Sequence, residues 1–257
     1  MSSASDPRKV YIVTGSAVGV GAATAVALAR RGAAVVINCT KSLAEAEDTA
    51  RQCAAAGGEA IVVAADIAKD ADCRRLAAAA TDRWGRLDGL VNNAGTTKFM
   101  NAANLDGLNA EDFQSIYGVN LVGTWQMIRA CAPALKASRG AVVNVSSTAG
   151  VSGTGSSIAY ACSKGALNTL TISLARVLAP EVRVNAVLPG FIETRWLKNG
   201  LGAERYAKYE STWNAQAALG VTLQPEDVAQ SILYLLDSEK TTGQLLTLDA
   251  GKALGRL

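Results

Sequence analysis

The chain has 257 residues, 49% hydrophobic and 18% charged, with a net charge of +3 and no histidine. That length and balance fit a globular protein of one large α/β domain or two small ones, and exclude a disordered chain. No basic block suggests nucleic acid, and the five cysteines (Cys39, Cys53, Cys73, Cys131 and Cys162) lack metal-ligand spacing, which argues against zinc.

An odd number of scattered cysteines suits reduced thiols, and so a cytoplasmic protein. The start, "MSSASDPRK", is polar and leads into a strand-length run rather than a signal core. No segment approaches the roughly 18 apolar residues of a membrane span.

In chain order, "KVYIVTG" is β-branched, ends in glycine and predicts a buried strand. An Ala-rich helix follows over about 19–31, then the strand "AAVVINC" and a helix that stops at Gly57 and Gly58. "EAIVVAAD" is a third strand, "AKDADCRRLAAAATDRWG" a helix and "LDGLVNNAG" a fourth strand with its turn. A long helical region covers about 110–138, before strand "GAVVNVSS", helix "AYACSKGALNTLTISLARVLA" and strand "VRVNAVLPG". The segment 194–223 is read as irregular or helical. Pro225 opens the next helix, and "GQLLTLDAG" is the last strand. This alternation, with runs apolar enough to be buried on both faces, predicts one α/β domain: a doubly wound, Rossmann-like parallel sheet with helices on both sides.

Four stretches carry chemistry. "TGSAVGVG", from Thr14 to Gly21, lies between a strand and a helix, where a dinucleotide pyrophosphate binds. Gly15, Gly19 and Gly21 would let the backbone approach the phosphate. A carboxylate to hold the adenosine ribose is expected about 20 residues on; Asn38 stands there instead, with Lys41 just beyond. Without an acid, and with a cation at hand, the loop favours the 2′-phosphate of NADP(H) over NAD(H), which stays possible. "LVNNAG" sets adjacent asparagines at a strand end, and "VNVSSTAG" ends the fifth strand in Ser146 and Ser147. Last, Tyr160 and Lys164 stand four positions apart, on one helical face. An ammonium beside a phenol lowers the phenol's pKa, giving an acid/base pair without imidazole. Each stretch alone also has a plain reading as a turn or a surface pair.

In this order and spacing the four resemble the short-chain dehydrogenase/reductase family, over nearly the whole chain from Val10 to about Gly251. The resemblance implies an active site of Asn120, Ser147, Tyr160 and Lys164. Tyr160 would exchange a proton with the substrate oxygen, and Ser147 would hold that oxygen. Lys164 would lower the Tyr160 pKa and bind nicotinamide-ribose hydroxyls, and Asn120 would hold a water linking Lys164 to solvent. It further implies contacts of the glycine loop at Ser16 and through the backbone of Val18 and Val20, adenine contacts at Asp66 and Ile67, ribose contacts at Asn93, Ala94 and Gly95, and nicotinamide contacts at Pro189, Gly190, Ile192 and Thr194. The expected substrate is a small carbonyl or alcohol and the expected assembly a homotetramer.

Bacterial 3-oxoacyl-carrier-protein reductases are the nearest-looking subgroup, through "NNAGTT", "ARVLA" and "PGFIET". Of the two arginines with which they grip the carrier protein, Arg176 matches one and the other position falls near Pro133. Ala250 stands where many relatives have glycine. Trp196, Tyr206, Tyr209 and Trp213 could form an aromatic lid or simply pack a helix. The alternative function is a catalytically silent NADP-binding sensor or scaffold, against which the full set of four site residues argues.

Overall fold

The computed structural model describes residues 8–255; the polar start read above lies mostly outside the described residues. Seven parallel strands stand in the order β3-β2-β1-β4-β5-β6-β7. They are β1 (Val10–Val13), β2 (Ala34–Cys39), β3 (Glu59–Ala64), β4 (Gly89–Asn92), β5 (Ala141–Val145), β6 (Arg183–Pro189) and β7 (Leu245–Leu248). Parallel neighbours require crossovers, and the helices supply them. α1 (Gly19–Ala29), α2 (Leu43–Ala55) and α3 (Asp70–Trp84) link the first four strands; α4 (Ala110–Tyr117) and α5 (Thr124–Ser138) precede β5. α6 (Ala149–Ser152) and α7 (Ile158–Leu178) precede β6. α8 (Arg195–Leu201), α9 (Ala203–Gln216) and α10 (Pro225–Asp237) precede β7.

Alternate side chains of each strand feed two cores. Tyr11, Val13, Val35 and Ile37 pack with Leu28, Cys53, Val228 and Ile232 on the α1/α2/α10 face. Val10, Ile12, Ala34 and Val36 pack with Leu76, Met127, Ile128 and Leu178 on the α3/α5/α7 face. Both faces of the sheet are therefore dry, which is why the strands read as unbroken apolar runs.

The strand order reverses between β1 and β4, the place where open α/β sheets bind ligands at the strands' C-terminal ends. The β1–α1 and β4–α4 connections start there. Cys39, Cys53, Cys73 and Cys131 are buried free thiols and Cys162 is an exposed one. No described helix is long and apolar enough to cross a membrane.

Candidate active site

Site residues converge on the C-terminal ends of β1, β4, β5 and β6. After β1, Gly15 and Gly19 hold φ of +61° and +60°, a left-handed backbone that side chains resist. A Cβ on Gly15 would stand 2.9 Å from the Ala94 Cα, so glycine there lets the β1 loop touch the β4 loop. At Gly19 the same construction meets only the Thr194 methyl, at 3.9 Å. Gly19 thus faces an open space between the α1 N-terminus and Thr194, which caps α8. A phosphate fits such a cradle: amide donors, a favourable helix dipole and no side chain in the way. Exposed Val18 lies at its rim.

Several other predicted contacts turn out to build the cradle rather than line it. Asn38 is buried, accepts from the Gly15 amide at 3.1 Å and donates to the carbonyls of Cys39, Val63 and Ala65. Ser16 donates to the Val13 carbonyl at 2.6 Å and accepts from the Asn38 amide. Asn93 donates to the Thr14 and Gly15 carbonyls, and Thr14 Oγ1 accepts from the amides of Asn93 and Ala94. Val20 and Ile67 are core side chains, 8% and 4% exposed. These side chains point inward because each sits where strand ends close on one another, which leaves their backbone to face a cofactor. Asp66 stays half-exposed, its carboxylate turned to the Ala68 amide, and Lys41 is exposed beyond β2.

The role of Asn38 has a measurable consequence. An Asn38→Asp carboxylate would face the carbonyls to which the amide now donates and would be buried without a counter-ion. The variant should lose about 3 kcal/mol or more of stability, read by chemical denaturation.

Around the reacting centre, Ser157 caps α7 and accepts from the Tyr160 amide at 3.2 Å, which fixes the first turn. One turn further, Lys164 is 4% exposed and its Nζ donates to the Val145 carbonyl at 2.8 Å. Nζ stands 5.6 Å from the centre of the Tyr160 ring. Ser147 follows β5 and stands near enough to the Tyr160 hydroxyl to lower its pKa, while its Oγ accepts from the Ala149 amide. Neighbouring Ser146 points inward, to Asn168 and the Lys164 carbonyl.

Asn120 sits in a π-helical stretch, Gly118–Gly123, between α4 and α5. Such wide turns recur at functional sites. Its side chain accepts from the Thr96 amide and donates to the Thr96 carbonyl and Ser163 Oγ. It therefore pins the β4 loop to α7. A Cβ on Gly95 would lie 3.4 Å from Asn120 Oδ1 and 3.7 Å from Lys164 Nζ, so glycine keeps that corner open.

Burial decides the proton affinities. It pushes the Tyr160 phenol up to about 12, against a smaller lowering by Ser147. It pushes Lys164 down to about 8. The expected depression of Tyr160 by Lys164 is thus not seen: both groups are dry, and desolvation is the largest cause of each shift.

Beyond β6, Pro189 accepts at its carbonyl from Thr148, and the Gly190 amide donates to Leu248. Trp213 lies against Gly190, where any side chain would displace its ring. Ile192 bridges to Leu223. The aromatic residues of 194–223 divide. Tyr206 and Trp213 pack on Phe191, at ring separations of 5.3 and 6.1 Å. Tyr209 is exposed. Of the four, only Trp196 stands beside the proton donor, 6.3 Å from the Tyr160 ring and 5.3 Å from Phe99. Phe99 carries no motif and escaped the sequence reading, as did the 3.2 Å ion pair from Arg195 on α8 to Glu45 on α2.

A family model described as enoyl-(acyl carrier protein) reductase matches residues 15–253. A protein provisionally named ketoacyl reductase 2 of the granaticin polyketide synthase, from Streptomyces violaceoruber, is 43% identical, over 95% of this chain and 96% of its own. The 3-oxoacyl-[acyl-carrier-protein] reductase of a Synechocystis strain is 35% identical, over 96% and 97%. The crystal structure of a provisionally assigned short-chain dehydrogenase/reductase from Burkholderia xenovorans superposes with a TM-score of 0.90 at 39% identity, covering 97% of this chain and all of that one.

The chain belongs to the short-chain dehydrogenase/reductase family. It is an NAD(P)-dependent oxidoreductase acting at a carbonyl, and the seven-stranded parallel sheet is that family's fold.

Proposed function

We propose that the protein is an NADPH-preferring reductase of ketones, with Tyr160 as proton donor, Ser147 as the group that aligns the substrate oxygen, Lys164 as the ribose-binding cation and Asn120 as a positioning residue. The observation that carries the reading is the gathering of Ser147, Tyr160 and buried Lys164 at one place, with the Lys164 Nζ 5.6 Å from the centre of the Tyr160 ring. A dinucleotide held in the cradle would supply a hydride to the carbonyl carbon. Tyr160 would give its proton to the carbonyl oxygen, so that an alcohol leaves. A phenol held near 12 is a weak acid in water, but it keeps its proton at every ordinary pH. A carbonyl oxygen that gains charge as hydride arrives pulls that proton across. Segment 194–223 acts as the lid of this one dinucleotide-binding domain.

The preference for NADPH rests on the end of β2. Asn38 is turned inward, Glu45 is held by Arg195, and exposed Lys41 has no salt bridge to a described residue. A 2′-phosphate would meet a cation there and no free carboxylate. Lys41→Glu should lower kcat/KM with NADPH relative to NADH by about ten- to a hundredfold, the effect of reversing one close charge pair. An unchanged ratio would remove Lys41 from the phosphate site.

The assembly we infer is a homotetramer in the cytoplasm. Val122 on the π-helical stretch and Ile172 and Val177 on α7 are exposed apolar residues, 44%, 37% and 71% accessible, on two helical elements that an interface between copies would cover. On carrier proteins, Arg176 is exposed on α7, while Pro133 stands inside α5 and offers no charge.

A further inference from the structure

The observation not yet used is the row of rings beside the proton donor. Phe99, from the β4–α4 connection, and Trp196, from α8, meet at 5.3 Å and a 55° tilt; Trp196 and Tyr160 follow at 6.3 Å and 47°. Three tilted rings thus form one apolar wall that ends at the phenol. A methyl at position 200 would occupy the place of the Phe99 ring, so Gly200 of α8 is what admits Phe99 to this wall. Behind Phe99, Met100 helps to line a cavity of about 200 Å³ with apolar neighbours such as Leu105 and Ile158.

The charges around the mouth are engaged elsewhere. Lys98 pairs with Asp112 at 2.7 Å, Arg195 with Glu45, and Lys198 lies 5.1 Å over the Tyr206 ring. Thr97 bonds to Ser156 and Ser157. None of these flanking groups is set to receive a carboxylate or phosphate. A rigid ring also loses no internal rotation when it lies against an aromatic face, whereas a linear acyl chain does.

We infer that Phe99 and Trp196 are specificity-determining residues that select a neutral cyclic ketone, one whose carbonyl belongs to a fused or bulky apolar ring, over a linear 3-oxoacyl thioester. This rests on the reductase reading above. The chemistry is the same reduction: hydride to the ring carbonyl carbon, the Tyr160 proton to its oxygen, a cyclic secondary alcohol and oxidised cofactor as products.

The test compares 1-decalone with acetoacetyl-N-acetylcysteamine under NADPH, in the full chain and in Phe99→Ala and Trp196→Ala. We expect decalone to be the better substrate by about tenfold or more in kcat/KM. Each variant should lose about tenfold with decalone, mainly through KM, and clearly less with the thioester, as expected for a lost ring contact. A second readout needs no turnover: decalone should alter tryptophan emission of Tyr160→Phe and lose that effect when Trp196→Ala is added. A thioester turned over as well as decalone, or variants that slow both substrates equally, overturns the ring selection and leaves the reductase standing. No NADPH oxidation with either ketone, in protein that binds NADPH, overturns the reductase reading and the ring selection with it.

Discussion

Tyr160→Phe should abolish ketone reduction, lowering kcat by about a thousandfold, within the range for loss of a positioned acid. Binding of NADPH, read by quenching of protein fluorescence, should survive. The variant removes one hydroxyl and keeps the ring against Trp196, so the wall and the first turn of α7 stay in place. The lost group is the one that faces Ser147. Residual activity should then vary with pH only through Lys164, whose pKa burial holds at about 8. A variant with more than a tenth of the parent rate would show that solvent protonates the substrate, and Tyr160 would cease to be the donor.

Most of the frame was legible because it rests on local signals. Strands buried on both faces read as apolar runs, glycines at Gly57 and Gly85 end helices, and the strict alternation of elements leaves little choice of topology. Tyr160 and Lys164 were legible because a fixed helical spacing brings them to one face.

What escaped depends on contacts between distant positions. Asn38 sits where the type and distance from the glycine loop suggest a ribose ligand. Its direction is set by the β1 loop folding over β2, which no local pattern encodes. Phe99 joins the site only because Gly200, about a hundred positions later, leaves room for its ring. The π-helical turn at Asn120 has no side-chain periodicity of its own to announce it, and short α6 is a single turn. The lid was ambiguous for a related reason: α9 has a mixed face, with Tyr206 buried and Tyr209 exposed one turn apart. Proton affinity is the least local of all. Residue type suggested that Lys164 would acidify Tyr160, yet the amount of water each group loses reverses the outcome.

That reversal makes Lys164→Met informative, since one substitution should destroy activity and raise stability together. Burial holds the Lys164 pKa near 8 in the folded protein, against about 10.4 in an unfolded chain. Below pH 8 the folded state must carry a buried ammonium, and this destabilises it by roughly 3 kcal/mol. As pH rises from 8 to about 10.4 the folded state gives up that proton first, so the penalty fades across this window. Methionine fills a similar volume with no charge, but leaves the Val145 carbonyl without its donor, a loss of about 1 kcal/mol. The variant should therefore exceed the parent by about 1–2 kcal/mol at pH 6 in urea unfolding, and the advantage should vanish by about pH 10. Tyr11 and Tyr160, both raised to about 12 by burial, weaken the fold only above pH 10 and do so in both proteins. An advantage that persists unchanged to pH 10 would mean that better packing, not the buried charge, is responsible. A variant less stable than the parent at pH 6 would mean that the bond to Val145 outweighs the desolvation. In the expected case the fold tolerates a destabilising charge beside Tyr160, and the return is a cation within reach of the cofactor ribose at the pH where the enzyme works.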